Sequence, residues 1–326
     1  MHSELTTGRS LALVTALMLL EAMPGTVHAQ AYPTKPVRLI VGFAPGGPAD
    51  VIARVLAPRL TAHMGQPVVV DNRPGADANI AMASVAKSAP DGYTLYLTLV
   101  AVAINPALYK SVPFDPVKDF TPITLIGHMP NMVTIHPSVP ATSLRELIAF
   151  ARANKGQLFY GATASNITLA TEMLNRMAGI QTVRVNFKGA GPAIIALVTG
   201  EVQLLISGIG TLLPHAKSGR VRALAITSAR RSPLAPEIPT VDEAGVPGYV
   251  ATTWYGIAAP GATPRSVVDR VNADMRKVMA EPEPKARLLD FIIEPTPTTP
   301  EQFAEFIQAE LVKWHKVVKD SGITIE

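Results

Sequence analysis

The chain has 326 residues, 48% of them apolar and 17% charged, with 29 Pro, 23 Gly and no Cys. That length suffices for two domains with separate cores, and the composition is too apolar and too weakly charged for a disordered chain. Lack of Cys excludes disulfide scaffolds, Cys-based zinc or iron–sulfur sites and thiol catalysis, and a formal net charge of only +4 without a dense basic block argues against nucleic acid as the main partner.

The chain opens on a targeting segment. His2 and Arg9 precede an apolar run over 11–20, and Val27-His28-Ala29 supplies a small-x-small cleavage pattern. This predicts a secretory signal cleaved near Ala29 and a soluble, exported product. The run is shorter than the roughly 20 residues that cross a bilayer; an uncleaved anchor or a buried helix is the competing reading.

Strand and helix patterns then alternate. A buried strand is predicted over 37–43, followed by a helix whose apolar face is Val51, Ile52, Val55, Leu56 and Leu60. A strand over 67–72, an Ala-rich helix over 79–87 and a strand over 93–99 continue the βαβ rhythm of a mostly parallel sheet. The rhythm restarts with a strand over 132–136 and a helix over 143–154, where Ser143 and Glu146 have capping-box spacing. Next come a strand near 158–161, a helix over 169–177, a strand over 183–187, a helix over 193–198, and strands over 202–207 and 223–227. A strand over 252–259 and helices over 265–280 and 301–319 close the chain.

Chain crossings are predicted at 128–133 and 247–253. They give a first α/β domain from 30–131 and 250–326, and a second from 132–249. A two-strand hinge of this kind suits opening and closing about a cleft; periodicity alone also allows a plain tandem of two domains.

Four strand-to-helix loops carry the candidate chemistry. The first is Phe43-Ala44-Pro45-Gly46-Gly47-Pro48-Ala49-Asp50. Its glycines allow close backbone approach, and the unpaired N–H groups and dipole of the following helix favour an anion. Walker A and the Rossmann fingerprint are both excluded by its spacing. A tight turn without a ligand would use the same two glycines. The second, Phe187-Lys188-Gly189-Ala190-Gly191-Pro192, echoes it in the other domain, so that two glycine turns aim their amide hydrogens into one crevice. The third holds Thr163, Ser165, Asn166 and Thr168, whose polar groups donate to a carboxylate or cap the helix. The fourth, over 98–103, holds Leu99, Val100 and Ala101. All four lie at carboxyl ends of strands, where such sheets bind ligands. Tyr255, next to Trp254, lines the cleft or joins the core.

The energies suffice. A helix dipole contributes about 0.3–1 kcal/mol, up to about 2 when partly buried, and a hydrogen bond to a charged group about 1.5–3. Micromolar affinity needs about 8 kcal/mol. Enzyme signatures are weaker: Ser84-Val85-Ala86-Lys87 matches S-x-x-K without its companion motifs, G-x-S-x-G is absent, and the seven His residues show no zinc-binding spacing. No metal and no cofactor is expected.

Taken in order, these stretches resemble the Bug/TctC family of extracytoplasmic solute receptors, which serve tripartite tricarboxylate transporters. The resemblance runs over Tyr32-Pro33-Thr34-Lys35-Pro36-Val37-Arg38, Ala44-Pro45-Gly46-Gly47 with Asp50, and Val70-Asp71-Asn72-Arg73-Pro74-Gly75-Ala76. It continues through Ala89-Pro90-Asp91-Gly92-Tyr93, Pro239-Thr240 with Glu243-Ala244-Gly245, and Pro247-Gly248-Tyr249. It implies a two-domain α/β periplasmic-binding-protein (Venus flytrap) fold, a small organic acid in the interdomain cleft, a monomer, and delivery to membrane permease subunits. It also implies periplasmic location and ligand contact by the loop holding residues 44–50 and by second-domain loops; Phe43, Lys188, Gly189, Ala190 and Ser207 are added to the candidate contacts.

The second-domain half departs from the family pattern. Thr163-Ala164-Ser165-Asn166 replaces a Gly-rich segment, Thr168 stands at a usual His, Asn186-Phe187 replaces Pro-Tyr, Gln203 an acidic residue, and Ile206-Ser207 Phe-Asp. These changes predict a ligand less charged than citrate: a monocarboxylate, an aromatic acid or an amide. A sensor signalling to a membrane receptor, and an enzyme on the same fold, are the alternatives.

Overall fold

The computed structural model describes residues 32–187, 189–290 and 292–322. The apolar run over 11–20, Ala29 and Lys188 lie outside them. Contacts divide the chain after Thr34, and everything below belongs to the unit Lys35–Glu326.

Eleven strands among the described residues form two sheets. In the first, β1 (Val37–Val41) lies parallel between β2 (Val68–Asn72) and β3 (Thr94–Leu99). Antiparallel to β3 runs β10 (Thr253–Pro260), followed by β4 (Phe120–Met129) and the two-residue β11 (Glu294–Pro295). The second sheet has β6 (Phe159–Ala162) parallel to both β7 (Val183–Asn186) and β8 (Leu204–Gly208). Beyond β8 lies β5 (Asn131–Ile135), antiparallel both to β8 and to β9 (Arg222–Ile226), which forms the other edge.

The helices follow from pattern and caps. In α1 (Pro48–Met64) Ile52, Ala53, Leu56, Ala57 and Leu60 are buried, Pro48 takes the first turn, and Gly65 closes the helix in the left-handed conformation. Val51 and Val55 are only half-buried, displaced from the predicted face by the two alanines. After α2 (Asn79–Ala86) comes α3 (Ala101–Leu108), in a segment predicted as loop. Its residues are buried nearly all round, so no 3.6-residue stripe betrays it. The strand β4 also escaped the pattern: Pro122 interrupts it, tolerated beside the register shift at Ile257/Ala258.

In the second sheet's half, α4 (Leu144–Ala153) is capped by Ser143, whose Oγ accepts from Glu146 N. The reciprocal half of the predicted capping box is shifted by one residue: the Glu146 carboxylate accepts from Thr142 N and Oγ1 instead. Beyond it, α5 (Ser165–Ala178) begins four residues earlier than predicted, α6 (Ala190–Thr199) is longer than predicted, and α7 (Ile209–Lys217) follows β8 directly. The closing helices α8 (Arg265–Ala280), α9 (Pro282–Asp290) and α10 (Pro300–Ser321) pack around β4 and α1. The buried Glu310 of α10 accepts from both indoles, Trp254 Nε1 at 2.8 Å and Trp314 Nε1 at 2.9 Å, while Phe303 and Phe306 meet Trp254 edge-on. Trp254 is therefore core.

Between β4 and β5 only Pro130 separates the sheets. Across the return passage, Thr227 N donates to Asn131 O, Asn131 N to Thr227 Oγ1, and Asn131 Nδ2 to Ala251 O, at 2.9–3.1 Å. The two connecting segments are thus bonded side by side. Among the described residues no helix is long and apolar enough to cross a membrane.

Candidate functional site

A cavity of about 1400 Å³ lies between the two sheets' loop ends. The loop before α1 contributes Phe43, Ala44, Pro45 and Gly47 to its wall, and the end of β3 contributes Leu99, Val100 and Ala101. From the second sheet's half come Thr163, Ser165, Asn166 and Thr168, then Gly189 and Ala190, then Ser207; Tyr255 completes the set. Fifteen of the eighteen predicted site residues therefore meet in one hollow, while Gly46 and Asp50 stand outside its lining and Lys188 lies outside the described residues.

The glycine turns work differently from the expectation. Gly46 does not aim its N–H at the cavity: it donates to Asp50 Oδ2 at 2.9 Å. Gly47 N points back to Ala44 O at 3.4 Å, and Gly189 N to Phe187 O at 3.0 Å. What the turns do present is the first turn of each following helix, whose N–H groups have no intrahelical acceptor. Pro48 and Pro192 carry no N–H, so these donors are the amides of Ala49 and Asp50 in α1, and of Ala190 and Gly191 in α6. The start of α5 adds a third such end at Ser165 and Asn166. The N-termini of α1, α5 and α6 thus border one cavity, whose wall also includes the starts of α2, α3 and α7.

Buried side chains hold these turns in place. The buried Asp50 carboxylate takes Arg54 Nε at 2.9 Å besides Gly46 N, and Arg54, chiefly, holds its pKa below the usual carboxylate range. Asn72 Nδ2 fixes the strand end by donating to Phe43 O at 3.0 Å. Gly46, at φ 84°, and Gly189, at φ 100°, adopt backbone that other residues avoid. At α5 the expected side-chain capping is absent: Ser165 Oγ hydrogen-bonds Asp77, Asn166 Nδ2 donates to Thr253 Oγ1 at 3.0 Å, and Thr168 Oγ1 returns to Ala164 O at 3.1 Å.

Among the polar wall residues that sequence reasoning missed are Asp77, Asn131 and Arg184, besides Tyr109, Asn186, Thr211 and Thr253. Asp77 follows the Arg73-Pro74-Gly75-Ala76 stretch at the carboxyl end of β2, so the strand-end rule applied to the other loops would have found it. Its carboxyl is pushed up to about 6 by burial. Asn131 sits at the passage between the sheets, and the exposed Arg184 is on the edge strand β7. Arg184 supplies a cation beside the three helix ends.

The model for the tripartite tricarboxylate transporter family receptor matches residues 52–323. The chain is 35% identical over 325 residues to protein BugT of Bordetella pertussis, covering 98% of this chain and 99% of that one. Among solved structures, an R. palustris protein with adipate is 36% identical with a TM-score of 0.80, over 90% of this chain and 99% of that one. MatC of Rhodopseudomonas palustris with bound malate is 31% identical with a TM-score of 0.76, over 88% of this chain and all of the other. The chain belongs to the tripartite tricarboxylate transporter receptor family of solute-binding proteins.

Proposed function

We propose that this protein captures a small organic acid in the cavity between its two sheets and delivers it, as a monomer, to the membrane permease of a tripartite transporter. The observation that carries the reading is the convergence of three helix N-termini, at Ala49, Ser165 and Ala190, on one hollow. Each offers unpaired N–H donors and the positive end of a dipole. Arg184 adds a full charge. The neighbours solved with adipate and malate support the choice of a carboxylate.

Contact belongs to Phe43–Pro45, Gly47, Leu99–Ala101, Thr163, Ser165, Asn166, Thr168, Gly189, Ala190, Ser207 and Tyr255, and Lys188 is assigned the same role from the sequence. Gly46 and Asp50 act one step back, by shaping the first loop. The lobes are 30–131 with 250–326, and 132–249; the bonded pair of passages at Asn131, Thr227 and Ala251 is the hinge between them. Export proceeds through the 11–20 signal with cleavage near Ala29, and the product works in the periplasm. It binds and releases its ligand without chemical change.

Isothermal titration against mono-, di- and tricarboxylates, aromatic acids and amides tests the reading. Saturable binding of a mono- or dicarboxylate, or of an amide of one, is expected. Tightest binding of a tricarboxylate would contradict the altered second-lobe pocket, and no binding by any acid would contradict the receptor reading itself.

A further inference from the structure

The cavity also holds a negative group that anion capture does not need. Asp77 lines it, and no described cation pairs with the carboxylate. Ser165 Oγ, from the opposite lobe, is its hydrogen-bond partner. Three consecutive residues, Ala76, Asp77 and Ala78, stand at φ 47°, 51° and 70°. That run is costly for residues with a Cβ, and such strain is kept where a loop must present a group to a ligand. The loop is also clamped: Asn105 Nδ2 donates to Asp77 O at 2.9 Å and to Asn79 Oδ1 at 2.8 Å. Gly42 lies so close that an added Cβ would stand 2.5 Å from Ala78 Cβ.

A second, independent group points the same way. Asn131 also lines the cavity and is only 2% exposed. Its Nδ2 donates to Ala251 O, which fixes the orientation of the amide, because the reverse would set two acceptors against each other. The atom left over is Oδ1, a buried acceptor with no partner among the described residues. A buried acceptor left unmatched is costly, and a ligand donor relieves it.

We propose that Asp77 and Asn131 form an acceptor subsite that selects a carboxylate bearing a hydrogen-bond donor at its far end, foremost an ammonium group, and rejects a second carboxylate. The N-termini of α1 and α6 take the acid end; Asp77, bonded to Ser165 at the start of α5, attracts a positive or donating end and repels an anion. With a carboxyl pKa near 6, Asp77 is charged at neutral pH. Tyr109, also on the cavity wall, lies near enough that the Asp77 charge helps to raise its phenol pKa, behind burial itself. This selectivity rests on the receptor reading above.

Matched sets of acids with four, five and six carbons test it at pH 7.5: the diacid, the ω-amino acid and the unsubstituted acid of each length. Calorimetric titration of the wild type is expected to favour the ω-amino acid over the diacid by about ten-fold or more, the scale of one charge-assisted hydrogen bond. Asp77→Asn and Asp77→Gly, both compatible with the left-handed backbone, are expected to cut that preference at least several-fold and to improve diacid binding; melting curves establish that each variant is folded. Preference for an acid with no donor group, or an order that the variants leave unchanged, would overturn the acceptor subsite while the receptor reading stood. Failure to bind any acid would overturn both.

Discussion

Single residues here divide into those that touch the cavity and those that shape what does. Asp50 and Gly46 read together in the sequence as parts of one anion loop, yet their hydrogen bond to each other turns both inward. Spacing alone could not show this, because whether a glycine N–H faces a ligand or a neighbouring carboxylate depends on one dihedral. Asp77 is the converse case, a wall residue whose burial no local pattern reveals. Its raised pKa has a consequence for stability. The folded state holds the proton up to about pH 6, whereas an unfolded Asp releases it near 3.9. Between those values the native state binds more protons, so stability is fully present below about pH 4 and falls as pH rises through 6. Asp77→Asn removes the charge and the dependence. Denaturant unfolding is expected to find this variant more stable than wild type by about 1–3 kcal/mol at pH 8, with the difference vanishing at about pH 4. Equal stabilities at both pH values would show that the carboxylate carries no desolvation cost.

Elements show why most, but not all, of the architecture was legible. Strands such as β1 and β3 announce themselves by apolar β-branched or Leu-rich runs, and α8 and α10 by a one-sided stripe. The overlooked α3 is buried on nearly every side, and β4 carries a proline, so each lacks the periodicity that makes an element readable. Contacts distant in sequence, such as Asp77 with Ser165, leave no periodic trace at all. In the proposed site the decisive element is the turn into α1. Gly47 has φ −77°, ordinary for any residue, and a Cβ there would meet only Ala44 O at 3.5 Å. A larger side chain therefore fits the fold and projects toward the proposed approach to the Ala49 amide. Gly47→Leu is expected to keep the wild-type melting temperature and to weaken acid binding at least about ten-fold, the loss of one or two charge-assisted hydrogen bonds. Undiminished affinity in a folded variant would remove the first loop from the site.

At the scale of the whole molecule, the two sheets' halves meet through paired passages and through contacts made by α5. Asn166 bonds Thr253, Ser165 bonds Asp77, and Arg176 at the far end of α5 pairs with Asp320 of α10 at 3.4 Å. All three originate on α5, so this one helix carries both a donor end of the proposed site and the bonds that join the halves. On the proposed reading, a ligand that reaches the N-terminus of α5 engages the same helix that bonds to the first sheet's half. The most direct test is a crystal structure of the protein with a bound acid identified by titration. The account predicts its carboxylate within hydrogen-bonding distance of first-turn amides from both lobes, at Ala49 on one side and at Ala190 on the other. A carboxylate seated away from all three helix ends, or held by one lobe alone, would contradict it.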